Sequence, residues 1–383
     1  MGRAPDLAEI LRAHAPPLEA LGPQRRRVVR DIINCRTAAL GGHLQVCDHC
    51  GREIPFYNSC RNRHCPKCQS LDQARWVEAQ TRDLLPVPYF HVVFTVPPSL
   101  HSFFLADRRV AFGLLFATAL ETLHDVCREH LGVLPGTIAV LHTWSQTLTF
   151  HPHVHCIVTG GGLPPTRDRW IGSRPNFLVP VRALSPLFRG KLLHRLSTAV
   201  EDGTLGVGGR AGRRQLREAA ARKWVVYSKP PMAGPQQVLR YLGRYTHRIA
   251  ITNGRIVNLE NGRVTFRYRD RRRGNRRRVL TLEATDFIRR FLVHVLPRSF
   301  VRIRHYGLLA NGCRTKLVAR ARLLLHAPAE PERRPATRRS WQDLYKTLTG
   351  RDPELCPRCG KGTLRILGPL APICAAVPRS RAP

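Results

Sequence analysis

Acidic residues are scarce in this 383-residue chain: 26 Asp plus Glu stand against 63 Lys plus Arg, a formal net charge of +37. The deficit excludes a neutral or acidic surface and makes nucleic acid the natural partner. Arg dominates the basic residues, and its planar fork suits bidentate phosphate contacts better than Lys does. A coding bias toward Arg and Ala raises the Arg count without creating so large an excess. Long apolar runs are missing as well. The most apolar stretch, Val110 to Leu120, is about half of the roughly 20 residues a membrane span needs. It runs into Glu121, His124 and Asp125, so it is read as a buried helix and no membrane partner is expected. No secretory signal follows Met1, so the chain is expected to stay in the cytoplasm. A Gly-x4-Gly-Lys-Ser/Thr phosphate loop is lacking too, so the chain carries no nucleotide-driven motor of that type.

Cysteine, by contrast, is plentiful, with 12 residues. In a reducing compartment, clustered cysteines are better metal ligands than disulfide partners. Cys47-Asp-His-Cys50 and Cys65-Pro-Lys-Cys68 are two C-x2-C knuckles, and each tight turn aims two sulfurs at one point. The expected structural zinc (Zn2+) ligands are therefore Cys47, Cys50, Cys65 and Cys68, with Cys60 in reserve and His49 and His64 nearby. Cys356-Pro-Arg-Cys359 has the same form but only Cys374 follows it. It reads as a half-site, a remnant or a site completed by His326 or another chain.

Periodicity and punctuation organise the rest. Residues 6 to 39 read as two helices, the second rich in Arg. Residues 71 to 85 read as a helix and Tyr89 to Val96 as a buried strand closed by Pro97-Pro98. An amphipathic helix spans about 108 to 130, followed by strands over 137 to 148 and 154 to 159. A helix over 183 to 202, a Gly-rich link over 203 to 214 and a basic helix reaching Val226 come next. The helix at 236 to 246 is bounded by prolines. Beyond it lie a strand at 249 to 260, the hairpin turn Asn261-Gly262 and a helix at 286 to 296. After about Leu325, Pro and Arg become dense and loose packing is expected.

Two constellations carry chemistry. In His151-Pro-His-Val-His155, alternate side chains of a strand share a face, so His153 and His155 can hold one divalent ion. Gln146 is the candidate third ligand, with His142 and His151 as competitors. In Tyr241-Leu-Gly-Arg-Tyr245, two phenols four residues apart share a helix face. Arg244 and Arg248 each follow a tyrosine by three positions, where a guanidinium favours phenolate and can grip phosphate. Arg271, Arg272, Arg273, Arg276, Arg277 and Arg278 surround a Gly-Asn turn as a candidate DNA-tracking tip.

These residues occur in the order Phe94-Thr-Val-Pro97, His151 to Gly161, Tyr241 to Ala250, Phe287 to Pro297 and Val301 to Leu309, after a knuckle region ending at Gln69. In that order, over roughly residues 20 to 320, the chain resembles the two-tyrosine HUH transposases of the IS91 insertion-sequence family. The resemblance implies an α+β fold: an HUH endonuclease-like antiparallel sheet flanked by helices, with a small amino-terminal zinc-binding domain. The implied boundaries are a helical basic lead-in at 1–40, a zinc-binding domain at 41–85, a catalytic domain at 86–325 and a basic tail at 326–383. It further implies a metal-dependent DNA endonuclease and strand transferase with Mg2+ or Mn2+ on His153 and His155. Tyr241 and Tyr245 are then the nucleophiles that form a 5′-phosphotyrosine during rolling-circle-like transposition. The implied partners are single-stranded element ends, target DNA and host replication or helicase functions in the bacterial nucleoid, with a second copy of the chain left open. A replication initiator of the same chemistry and a non-catalytic zinc-containing DNA-binding protein are the alternatives.

Overall fold

Central strands buried along most of their length and helices with buried residues three or four apart share out this chain. The computed structural model describes residues 3–81, 83–207, 209–232, 243, 250–270, 274–327 and 339–373. Its strands are β1 (Gly42–Cys47), β2 (Glu53–Tyr57), β3 (Tyr89–Thr95), β4 (Leu134–Trp144), β5 (Phe150–Leu163) and β6 (Ile171–Gly172). They continue with β7 (Val226–Met232), β8 (Ile256–Glu260), β9 (Arg263–Asp270), β10 (Arg276–Glu283), β11 (Ile303–Gly307) and β12 (Leu364–Leu370). The helices are α1 (Leu7–His14), α2 (Pro23–Asn34), α3 (Gln69–Thr81), α4 (His101–Ala106) and α5 (Arg108–Leu131). Then follow α6 (Val181–Glu201), α7 (Gly209–Ala220), α8 (Ala284–Leu292), α9 (Arg314–Leu324) and α10 (Trp341–Thr349). The chain divides into two compact units, one made of Met1–Arg75, His247–Val295 and Arg334–Pro383, the other of Trp76–Thr246 and Leu296–Arg333.

The second unit is an antiparallel sheet in the order β11-β4-β5-β3-β7, with β6 paired to β5. Period-2 alternation sorts its central strands into two faces. Phe90, Val92, Phe94, Ala139, Leu141, Val154, Cys156 and Val158 enter the main core with side chains of α5 and α6. The α6 contribution repeats every four residues, at Leu184, Phe188, Leu192 and Leu196, which puts one stripe on the sheet. The intervening residues, including Ile138, Val140 and Ile157, belong to a second cluster with Leu309 and Val318. His142, His153 and His155 alternate in phase with that second set.

The α+β expectation holds, and α5 settles the apolar run. Among the described residues it is the one helix long and apolar enough to cross a membrane, yet Phe112, Leu115, Phe116 and Leu123 are buried in the core. Asp107 caps its start by accepting from the Arg109 and Val110 amides, and Gly132 ends it at φ 66°.

The first unit holds two three-stranded antiparallel sheets, β12-β1-β2 and β10-β9-β8. Asn261 and Gly262 both take positive φ, 49° and 71°, as a tight hairpin between β8 and β9 requires. Helix α1, held by a capping box between Asp6 and Glu9, packs on α2 and α8.

Two expectations are corrected. The basic helix does not reach Val226: it ends at Ala220, where the Trp224 indole donates to the Ala219 carbonyl at 2.9 Å. Val226 instead opens β7, paired with β3, as its β-branched and aromatic start favours. The Gly-rich link is shorter than expected, because α7 begins at Gly209. The carboxy-terminal region carries α10 and β12, and β12 pairs with β1 at every residue but Leu367; its packing is as loose as expected, with Leu344 the one buried residue of α10 and none buried in β12.

Candidate metal centres

On β4 and β5, antiparallel register sets His142 opposite His153. His155, two residues on, shares their face. One ring nitrogen from each of His142, His153 and His155 lies within 4.8 Å of the others. Ring centroids stand 4.4 Å apart for His142 and His155, 4.7 Å for His153 and His155 and 5.4 Å for His142 and His153. The anchoring bonds decide which nitrogens are available. Nδ1 of His153 lies 2.6 Å from the carbonyl oxygen of His151; a carbonyl only accepts, so Nδ1 carries the proton and a neutral His153 keeps its lone pair on Nε2. Nδ1 of His155 lies 2.7 Å from Nε2 of His91 on β3, with the two rings stacked at 7°. With the proton on His155 Nδ1, its Nε2 is likewise left as a ligand atom. Three imidazoles, two of them braced in this way, suit a divalent transition ion.

The register also sets a residue other than Gln146 opposite His153. β4 ends at Trp144, and Gln146 lies in the turn that returns the chain to β5, closed by Ser145 N–H donating to the Thr149 carbonyl at 3.0 Å. Gln146 was expected on the preceding strand; the turn begins before it, and His142 occupies the place opposite His153. His91 escaped notice in the sequence, where one histidine in the apolar run 89–96 carries no signal of its partner 64 residues away.

The cysteines form two tetrads instead of the one expected. Cys35, Cys60, Cys65 and Cys68 make one; Cys47, Cys50, Cys356 and Cys359 make the other. The set Cys47, Cys50, Cys65 and Cys68 is thus divided between two centres, and the reserve Cys60 becomes a full member of the first. Cys35, at the carboxy-terminal end of α2, was missed because it stands outside any C-x2-C motif. Sulfur separations are 3.4 Å for Cys35 and Cys68 and 3.6 Å for Cys60 and Cys68, far above the roughly 2.05 Å of a disulfide. Hydrogen bonds from Cys60 and then Cys65 hold the Cys35 thiol down to about 7. In the second tetrad the Gly362 amide, then the Lys361 amide, lower Cys359 to about 6.

Tyr241, Tyr245, Arg244, Arg248, Arg271, Arg272 and Arg273 lie outside the described residues. Arg276, Arg277 and Arg278 open β10 and are exposed; Arg278 Nη1 lies 3.4 Å from Asp270 Oδ2.

Two family models match the chain. Residues 136–316, which contain the histidine trio and both tyrosines, match the family described as "Putative transposase". Residues 7–96, which contain the first cysteine tetrad, match the "Transposase zinc-binding domain" of the IS91 type. The "Putative transposase y4qJ" of Sinorhizobium fredii is 44% identical over 374 residues, 94% of each chain. The "Transposase for insertion sequence element IS801" of Pseudomonas savastanoi pv. phaseolicola is 26% identical over 348 residues, 87% of this chain and 81% of the relative. No solved structure matches.

Proposed function

This chain belongs to the IS91-type transposase family, and from that premise we propose that it cuts and rejoins single-stranded DNA at element ends through tyrosine nucleophiles, in rolling-circle-like transposition. The observation that carries the proposal is the trio of imidazole nitrogens of His142, His153 and His155 within 4.8 Å of one another. On this reading they hold the catalytic ion, and His91 orients His155. A divalent ion there supplies charge neutralisation at the scissile phosphate. Imidazole donors favour Mn2+ over the harder Mg2+, so Mn2+ is the stronger activator.

Tyr241 or Tyr245 attacks phosphorus. The phenolate oxygen forms the new P–O bond while the bond to the 3′-oxygen breaks, leaving a 5′-phosphotyrosine and a 3′-hydroxyl that takes its proton from water. A free phenol has a pKa near 10, so about one in a thousand is ionised at neutral pH. Arg244 and Arg248 raise that fraction and hold the phosphate. The second tyrosine serves the next cleavage or strand transfer. Arg271, Arg272, Arg273, Arg276, Arg277 and Arg278 follow the DNA backbone, and host helicase or replication functions open the duplex. Zinc held by Cys35, Cys60, Cys65 and Cys68 stabilises the amino-terminal domain without entering the chemistry.

The test mixes purified protein with labelled single-stranded DNA from an element end, with Mn2+, with Mg2+ or with chelator. A denaturing gel is expected to show a metal-dependent, protein-linked 5′ fragment that vanishes in Tyr241→Phe/Tyr245→Phe and in His153→Ala/His155→Ala. An adduct that survives the tyrosine double substitution removes the nucleophile assignment. DNA binding with no adduct under any condition replaces the enzyme by a non-catalytic DNA-binding protein.

A further inference from the structure

The two C-x2-C-Gly segments, Cys47 to Gly51 and Cys356 to Gly360, lie some 300 residues apart and are built alike. In the first, the Gly51 amide donates to the Cys47 carbonyl at 3.0 Å; in the second, the Gly360 amide donates to the Cys356 carbonyl at 2.9 Å. Gly51 and Gly360 take φ of 63° and 67°, a left-handed turn that favours glycine. Each knuckle also directs an amide at a sulfur: Cys50 N–H at Cys47 Sγ, 3.4 Å, and Gly362 N–H at Cys359 Sγ, 3.5 Å.

The knuckles face each other. Cys47 Sγ is 3.7 Å from Cys359 Sγ and Cys50 Sγ is 4.0 Å from Cys356 Sγ. A regular tetrahedron with Zn–S bonds of about 2.3 Å has sulfur edges of about 3.8 Å. The backbone is clamped around this centre: Asp48 N–H donates to the Thr363 carbonyl at 3.1 Å, and Thr363 N–H donates to Asp48 Oδ1 at 2.8 Å. Gly362 is packed so tightly that a Cβ there would stand 2.4 Å from Cys47 Sγ and 2.6 Å from His49 Cβ.

We propose that Cys47, Cys50, Cys356 and Cys359 bind a second zinc ion, and that this tetrathiolate centre joins the carboxy-terminal knuckle and β12 to the β1-β2 hairpin as one zinc ribbon assembled from distant parts of the chain. The site lies partly outside residues 7–96, the span matched by the zinc-binding family. Packing of the sheet shows why a metal is needed. Of the residues of β1, β2 and β12, Cys47 alone is buried, while Ile366 and Leu367 are 68% and 54% exposed. A sheet so poor in core cannot offset the entropy of closing a loop of this length, whereas metal–thiolate bonds can. Arg52, Arg358 and Lys361, exposed and close in sequence to the ligands, offset part of the charge of four thiolates around one divalent ion, while Arg365 pairs with Asp48 at 3.7 Å.

The experiment uses the full chain carrying His153→Ala/His155→Ala, so that the imidazole trio contributes no metal. After dialysis, elemental analysis is expected to find two zinc ions per chain, falling to one in Cys356→Ser/Cys359→Ser. Cys60→Ser/Cys65→Ser is also expected to lose one, which separates this centre from the amino-terminal one. Cobalt substitution should show tetrahedral tetrathiolate bands that halve in either double variant. Alkylation mapping of the unsubstituted protein covers the case in which a variant fails to fold: Cys47, Cys50, Cys356 and Cys359 should be protected together and released together by chelator. Gly362→Ala, which keeps every ligand, should release zinc to chelator faster than the parent. One zinc per chain in the parent, two retained in Cys356→Ser/Cys359→Ser, or Cys356 and Cys359 alkylated while Cys47 and Cys50 stay protected would each overturn the proposal.

Discussion

Histidine spacing in β5 follows from strand geometry, but the identity of the third imidazole depends on the turn between β4 and β5. Because the chain reverses over residues 145–149, His142 and not Gln146 stands opposite His153. In the metal-dependent cleavage assay His142→Ala is therefore expected to lose activity by about 100-fold or more, as removal of a ligand to a catalytic ion does. Gln146→Ala is expected to stay near the parent level. Equal loss in both, or loss in Gln146→Ala alone, would return the third position to glutamine. The pair His153 and His155 is legible in sequence because both sit on one element and a period of two decides their direction. His142 and His91 are not, since each reaches the site through cross-strand register.

Helix α6 shows how an element is held to the sheet that presents these histidines. Its Phe188 is fully buried, with its ring 4.9 Å from Phe94 of β3 and 5.4 Å from Trp224. Lys191 bridges Glu121 and Asp125 of α5 at 2.5 Å each, but these are partly exposed pairs of small net worth. Apolar packing carries the larger share. Phe188→Ala is expected to cost about 3–5 kcal/mol, measured as a lower urea midpoint with an unchanged slope. A loss below about 1 kcal/mol would mean that the site collapses to fill the gap. The helix expected over 183 to 202 was legible in the sequence, whereas the nearby β7 was not, because a basic helical pattern ran up to it and strand pairing with β3 decided the outcome.

At the scale of the whole molecule, pH acts through partly buried histidines outside the imidazole trio. Burial, with His151 nearby, lowers His101 to about 4; burial, with Arg128 outweighing Asp125, does the same for His124; burial, with Arg314, does so for His305. Each is neutral in the folded state and binds a proton more readily when unfolded. Stability is therefore complete above the ordinary histidine value of about 6.5, falls as pH drops from there toward 4, and levels off below. Thermal melts across that window should show the decline, and His124→Gln should make it shallower; a flat profile would contradict the buried neutral assignment. The net charge of +37, the paired histidines, the C-x2-C knuckles and the hairpin turn at Asn261-Gly262 were determined by sequence alone, because charge is additive and these motifs act within a few residues. Tertiary structure decided the rest. The division of eight cysteines into two tetrads, the entry of Cys35, the capture of Cys356 and Cys359 by Cys47 and Cys50, and the meeting of His142 and His91 with the HUH pair all depend on which distant backbones pair. That choice is made by the burial and hydrogen bonding of whole strands, and it leaves no local mark on the residues it brings together.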